Sequence, residues 1–362
     1  MTVVHASAPG KLFLLGEYAV LHGAPALLTA VDRRVSVSIT DSDDARWHLR
    51  TPGLADATGS IVLGAHGVIP GDADAGTRER LRVFDAVRET VAGAVPGLGD
   101  RALSIDIDST AFFAQAGTAG EAHKLGLGSS AAVATALTAA LSTAAGVSLG
   151  PEDIRTLATT AHRAAQHGTG SGGDVATSSY GGLVSYVRDT PPTPLTWPEE
   201  LSLLVVSTGT GSSTTELVGR VKDYARTDAD GHRDDIDRLA TLAAHAEDAL
   251  RAPQEFLRLA EAYFEALLTL DEHCAAGIVS EHHRALHALA AQYGGAFKTS
   301  GAGGGDVGLV FAPAGAAIEE LRTAFAQAGA QAVPLGFGAN GVETTAEPTE
   351  QGNTGNRSVT TS

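Results

Sequence analysis

The chain has 362 residues, 43% of them hydrophobic, which is enough to bury a sizeable core as two domains or one large composite unit and excludes a small staple-dependent scaffold. Its 25 Lys and Arg against 42 Asp and Glu give a formal charge of −17, which argues against nucleic acid or an anionic membrane as partner, since both reward a basic face. An anionic substrate would have to be drawn in by a local basic cluster. The single cysteine, Cys274, cannot form an intrachain disulfide, and its setting in "LDEHCAAGIVSEHH" reads as helix. The N-terminal stretch "MTVVHASAPGKLFLLGEYAV" has no charged region followed by an apolar one, and no apolar run reaches membrane-spanning length. The expectation is a soluble protein of the reducing cytoplasm.

In chain order, "TVVHASA", "KLFLLGE" and "RVSVSIT" alternate as strands, separated by Pro-Gly, Gly-Ala-Pro and Asp-Arg breaks. A Gly, Ala and Asp-rich stretch over 51–77 leads to a helix, "ERLRVFDAVRETVAG", and a strand, "ALSIDIDS". Next comes "HKLGLGSSAAVATALTAAL", in which glycines and serines give way abruptly to an apolar helix running to Ala145. A further helix opens with Pro151 in its first turn, "GPEDIRTLATTAHRAAQ". The prolines between Pro191 and Pro198 mark a boundary, so the chain divides into residues 1–190 and 191–343. The second part reads as a strand "LSLLVVST", four helical patterns over 213–293, strands flanking "KTSGAGGGDVG", a helix near 316–328 and a last strand "AQAVPLGF". Residues 344–362 are polar without apolar periodicity and are expected to be disordered. Strands and helices that do not alternate one for one favour α+β over a doubly wound parallel sheet.

Glycine-rich segments carry the chemistry. In "KLGLGSSAA", Ser129 or Ser130 reads as an N-cap of a buried helix. The same stretch suits a phosphate, because a helix N-terminus offers unpaired N–H groups and a positive dipole end, and glycine lets a ligand approach the backbone. It matches neither the dinucleotide-binding nor the Walker A pattern. "SAPGKLFLLGEYAVLHG", "HGTGSGGDVATSSYGG" and "KTSGAGGGDVG" place further charged residues beside glycines. Phosphoryl transfer asks for backbone N–H groups, a divalent cation, a cation on the moving group and a carboxylate near the nucleophile. Lys11, after Pro9 and Gly10, suits the cation, although a snorkelling surface lysine reads equally well. Asp174, after Gly172 and Gly173, suits the carboxylate, against a capping role for "VATSSY". "GTGSST", over 209–214, reads as a phosphate loop or as the cap of the following helix. Zinc ligation by Cys274, His282 and His283 is not expected, and no Ser-His-Asp arrangement is legible, since triads are defined by geometry.

Three of these segments, "PGKLFLLGEYAVLHG", "KLGLGSSAAVATAL" and "KTSGAGGGDVGLVF", resemble the three motifs of the GHMP small-molecule kinases in order and spacing, from about Ala6 to Val342. The resemblance implies an α+β fold with an N-terminal domain of the ribosomal-protein-S5 domain 2 type and a ferredoxin-like C-terminal domain, with ATP and substrate between them. It implies that Gly126, Leu127, Gly128, Ser129 and Ser130 wrap the ATP phosphates, with Lys124 beside them and Ser130 on Mg²⁺. "GEYAV", "GTGSGGDVATSSYGG" and "SGAGGGDVG" are more similar to bacterial phosphomevalonate kinases than to mevalonate kinases. Mevalonate kinases usually carry a Mg²⁺-binding glutamate where this chain has Arg163, "PSG" where it has Gly170, Ser171 and Gly172, and "GGGG" where it has "GGGD" ending at Asp306. The shared "VLHG" over Val20–Gly23 keeps mevalonate open as an alternative acceptor. By the same resemblance Lys11 and Asp174 are catalytic, and Lys11, Glu17, Tyr18, Ser171, Gly172, Ala302 and Gly303 line the acceptor site. Arg163 and Lys298 are further candidates for phosphate contact. The expected partners are therefore ATP and 5-phosphomevalonate, with Mg²⁺ as cofactor and the oligomeric state, monomer or homodimer, left open.

Overall fold

The alternation of "TVVHASA" and "KLFLLGE" is carried by one long strand, β1 (Thr2–Leu15), and not by two. The expected break survives as a register shift at Pro9/Gly10 against its antiparallel neighbour β2 (Ala26–Asp41). Proline has no N–H to give a ladder, so a bulge is where a strand tolerates it. The computed structural model describes residues 2–52, 61–113, 124–168, 170–208, 214–305, 307–315 and 317–348.

Around these two strands lie β3 (Trp47–Arg50), β4 (Ile61–Leu63), β5 (Leu103–Asp108), β6 (Leu183–Tyr186) and β7 (Thr193–Leu195). The order across the sheet is β1-β2-β5-β3-β4, with β6 and then β7 branching from the other end of β2. The helices α2 (Ser129–Ala144) and α4 (Gly173–Tyr180) pack on β1 and β2. α1 (Ala75–Ala94) and α3 (Pro151–Ala165) cover α2. α2 is therefore enclosed on all sides, which is why its sequence is small and apolar all round. Its hydroxyls are turned inward on the helix itself: Thr138 donates to the Ala134 carbonyl and Ser142 to that of Thr138.

The second sheet is antiparallel, in the order β11-β8-β10-β9, from β8 (Leu201–Ser207), β9 (Ala296–Thr299), β10 (Val307–Pro313) and β11 (Gln331–Ala332). Helices α5 (Thr214–Thr227), α6 (Ala229–Ala244), α7 (Ala246–Ala249), α8 (Pro253–Cys274), α9 (Glu281–Gln292) and α10 (Ala317–Gln327) complete this half. Packed aromatic rings fill its core, Phe256 on Phe311 at 5.1 Å and Phe264 on Phe297 at 6.1 Å. The helix expected across "HCAAGIVSEHH" is interrupted. α8 stops at Cys274 with Ala275 at φ 47°, and the Asp271 carboxylate accepts the Gly277, Ile278 and Val279 N–H groups at 2.7–3.0 Å. α9 then restarts at a capping box made by Ser280 and His283. No helix among the described residues is long and apolar enough to cross a membrane.

Two expectations about chain division are corrected. The proline-rich boundary is itself part of the first sheet, because β7 pairs with β6. Residues 344–348, expected to be disordered, are part of a strand: β12 (Glu343–Pro348) pairs antiparallel with β1 along Thr2–Ser7. Every side chain of β12 is exposed, so only its backbone reveals the strand and no apolar alternation marked it in the sequence. The remaining tail, 349–362, lies outside the described residues. Truncation after Val342 is expected to uncover the β1 edge and lower the melting temperature of the full chain by about 2–6 °C, corresponding to a loss of one or two kcal/mol. An unchanged thermal unfolding curve would show that the β1–β12 pairing contributes nothing.

Candidate active site

Lys11 is placed by its glycine neighbours. Gly10 lies so close to the loop before α2 that a Cβ there would stand 2.7 Å from the Leu127 carbonyl, and the Lys11 N–H donates to that carbonyl at 2.9 Å. Gly128, at φ 76°, lets the lysine stem cross it: a Cβ there would meet Lys11 Cε at 2.9 Å. Only 7% of Lys11 is exposed, and its ammonium lies 5.2 Å from the centre of the Phe13 ring. Strand, loop and helix start are thus locked together around one cation.

Gly128 is also the N-cap of α2, in the left-handed conformation, and no side chain caps the helix. The expected capping by Ser129 or Ser130 is corrected here. A helix start has N–H groups with no intrahelical acceptor, and here they face the loop with their positive dipole end. Ser130 instead meets His162 of α3, Oγ to Nε2, at 3.1 Å, and His162 Nδ1 lies 3.9 Å from Asp174 Oδ2. Asp174 stands in the first turn of α4, whose N-cap residue is Gly172, and its Oδ1 accepts the Val175 N–H at 2.9 Å, so the expected capping contact is kept from inside the helix while Oδ2 faces His162. A proton on Nδ1, facing Asp174, would leave Nε2 to accept from the Ser130 hydroxyl, and the Gln166 amide approaches the same nitrogen at 3.3 Å. His162 is buried and belongs to this row, yet sequence reasoning passed it over; only the packing of α3 against α2 brings it to Ser130.

The opposite wall comes from the turn after β1 and the loop after β9. Tyr18, at φ 61°, donates its hydroxyl to the Ala302 carbonyl at 2.6 Å, and burial pushes its pKa well up, so it stays a neutral donor. Glu17 is fully enclosed and meets Lys298 at 2.5 Å, while the Gly301 N–H approaches the same oxygen at 3.3 Å. Its second oxygen is buried with no hydrogen-bond partner among the described residues. Burial pushes the Glu17 carboxyl up and the Lys298 ammonium down, and their mutual contact opposes both.

These walls enclose a cleft of ≈740 Å³. It gathers Lys11, Glu17, Tyr18, Lys124, Gly126, Gly128, Ser129, Ser130, Ser171, Asp174 and Ala302 from the sequence expectations, and adds Arg82 of α1 and Lys222 of α5. The four cations, Lys11, Arg82, Lys124 and Lys222, form the local basic cluster that the acidic chain requires of an anion site. Three expected residues stand behind the surface. The Leu127 side chain is in the core, Gly172 is the α4 cap, and Gly303 packs so closely on Ile278 that a Cβ would be 2.4 Å from its carbonyl. Arg163 is turned away, bonded to Asp189 at 2.6 Å and the Ser171 carbonyl at 2.9 Å, and Lys298 is consumed by Glu17, so neither meets the expectation of a phosphate contact. Asp306 and 209–213 lie outside the described residues.

Residues 82–182 match the family described as the GHMP kinases N terminal domain. The phosphomevalonate kinase of Streptomyces sp. (strain CL190) is 31% identical over 91% of this chain and 95% of its own length. The chain belongs to the GHMP kinase family. The mevalonate kinase of Pyrococcus abyssi is 30% identical over 90% of this GHMP kinase and 93% of its own length. The structure of Streptococcus pneumoniae phosphomevalonate kinase, in complex with phosphomevalonate and AMPPNP, superimposes with a TM-score of 0.74 at 20% identity, covering 92% of this chain and 99% of that one. The fold is accordingly the α+β GHMP kinase fold.

In this GHMP kinase, Lys298→Met leaves Glu17 buried without its cation and is expected to cost about 3–5 kcal/mol of stability in urea unfolding. Glu17→Gln combined with Lys298→Met is expected to recover most of that loss. A double variant as unstable as the single one would show that the pair's packing, and not its charge, matters.

Proposed function

We propose that this kinase transfers the γ-phosphoryl group of ATP to the phosphate of (R)-5-phosphomevalonate, giving ADP and 5-diphosphomevalonate. The observation that carries the reading is the convergence of Lys11, the uncapped start of α2 and Asp174 on one cleft. The relative from Streptomyces supports the phosphorylated acceptor; the one from Pyrococcus supports mevalonate, whose acceptor is a hydroxyl, as the second reading.

The α2 start and the glycines of its loop receive the ATP phosphates beside Lys11, whose stem lies across Gly128. The oxygen of Ser130, which lines the cleft, fits a hard divalent cation, and Mg²⁺ held there would supply charge neutralisation on the nucleotide phosphates. Lys11, fixed by its buried stem, stabilises negative charge on the transferring group. An oxygen of the acceptor attacks the γ-phosphorus in line, a new P–O bond forms, and the bond to the ADP oxygen breaks. Asp174 orients the acceptor. A phosphate acceptor is largely ionised at neutral pH, so proton removal adds little to its barrier.

ADP release with Mg-ATP, measured in parallel on 5-phosphomevalonate and mevalonate, tests the reading. Turnover on the first alone is expected, and Lys11→Ala is expected to lower kcat by about 10²–10³-fold. Turnover on mevalonate alone would replace the acceptor, and silence on both would refute the assignment. Asp174→Asn is expected to cost about 10-fold or less with the phosphorylated acceptor, below the 10²–10⁴ usual where a general base is lost. A larger loss would give Asp174 the full role of a base.

A further inference from the structure

The cleft continues past Tyr18. Beyond a wall shared by Tyr18, Leu21, Gly170 and Val218 lies a second cavity of ≈390 Å³, and Lys222 lines both spaces. The phosphoryl-transfer scheme uses nothing in this annex. It is lined by His22, Arg188, Arg226 and His232 in addition to Lys222. Three cations, Arg188, Lys222 and Arg226, with two imidazoles around one small cavity contrast with the −17 charge of the chain.

Neighbouring carboxylates answer part of that charge. Arg226 pairs with Asp223 at 2.5 Å, Arg188 lies 3.5 Å from Asp189, and Asp237 acts on His22. Lys222 has no such partner among the described residues. Arg188 is additionally pinned to the shared wall, donating from Nη1 to the Leu21 carbonyl at 3.2 Å. The rings of His22 and His232 are 5.4 Å apart. Burial, then the nearby His232 and Arg188, push the His22 pKa down, so the positive charge of the annex rests on its lysine and arginines. Those conditions favour an anion.

We propose that the annex binds the carboxylate of the acceptor, with Lys222 and Arg188 as its cations, while the other end of the molecule faces Lys11 and Asp174. This rests on the acceptor reading above and deepens it. Both 5-phosphomevalonate and mevalonate are hydroxy acids, so the annex selects for the acid and leaves the choice between them to the other end. A charge-assisted contact of this kind is typically worth a factor of about 10–150.

The test compares 5-phosphomevalonate with 3-hydroxy-3-methylbutyl phosphate, which keeps the phosphate and lacks the carboxylate, in wild type, Lys222→Ala and Arg188→Gln. In wild type, kcat/KM is expected to favour the acid by about 10–150-fold, with each substitution cutting that preference about 10-fold and leaving the KM for ATP in place. Lys222 is exposed on α5, so its replacement does not threaten folding. Equal losses on both acceptors, or an effect confined to ATP, would overturn the annex while the kinase assignment stands. If neither acceptor turns over, calorimetric binding of the same two compounds replaces kinetics. Preference for the acid that the variants lose would keep the annex and overturn the reaction, whereas equal or absent binding of both would overturn the annex as well.

Discussion

The buried pair of Glu17 and Lys298 is the constraint on which the site depends. It joins the turn after β1 of the first sheet to β9 of the second, with both side chains sealed from solvent. A buried ion pair recovers its desolvation cost only with good geometry and further hydrogen bonds. Here Lys298 also donates to the Thr299 carbonyl, and the Tyr263 hydroxyl donates to the Glu17 carbonyl at 2.8 Å. Ser300 adds a bond from its hydroxyl to the Phe13 carbonyl at 2.9 Å. Directional contacts such as these fix relative position more sharply than apolar packing. The cleft has a defined width because its two walls are tied at this point.

Lys11 shows the same economy on the other wall. Its ammonium is set by three backbone facts: the bulge at Pro9/Gly10, the bond to the Leu127 carbonyl, and the open face of Gly128. A lysine on an ordinary strand would extend into water and choose among many rotamers. Here the stem is packed, so the charge is held where a phosphoryl group would pass, and little reorganisation is left for the reaction itself.

Much of this was legible in the chain, and what was not has physical causes. Pro-Gly before a lysine, Gly/Ser before an apolar helix, and Gly-Gly before an aspartate are local patterns, and the cleft gathers Lys11, Ser130 and Asp174 as expected. Three of the matters that escaped share one cause. His162 sits on a helix face whose neighbour is set by tertiary packing, so no local pattern marks it. Lys298 beside "TSGAGGG" looked like a phosphate ligand, because a sequence does not reveal that a carboxylate 281 residues earlier will claim it. β12 is a strand by backbone pairing alone, and a fully exposed strand carries no alternation for a reader to find. Each miss concerns a partner that is distant along the chain.

The division of labour inside the cleft follows from where its charges lie. On the proposed reading, Lys11, the α2 start, Ser130 and Asp174 serve the moving phosphoryl group, and that half needs the same parts whatever oxygen attacks. Holding the remainder of the acceptor then falls to the far wall, where Tyr18 is held by Ala302 and stays a neutral hydrogen-bond donor. A neutral group there adds no long-range attraction for anions in general, so recognition at that wall depends on shape and short contacts. Attraction comes from the cations around it, Lys124 and Arg82 on the nucleotide side and Lys222 beyond Tyr18. An acidic protein can in this way hold two anionic substrates in one cleft, since the field that matters is the local one, within a Debye length of about 8–10 Å at ordinary ionic strength.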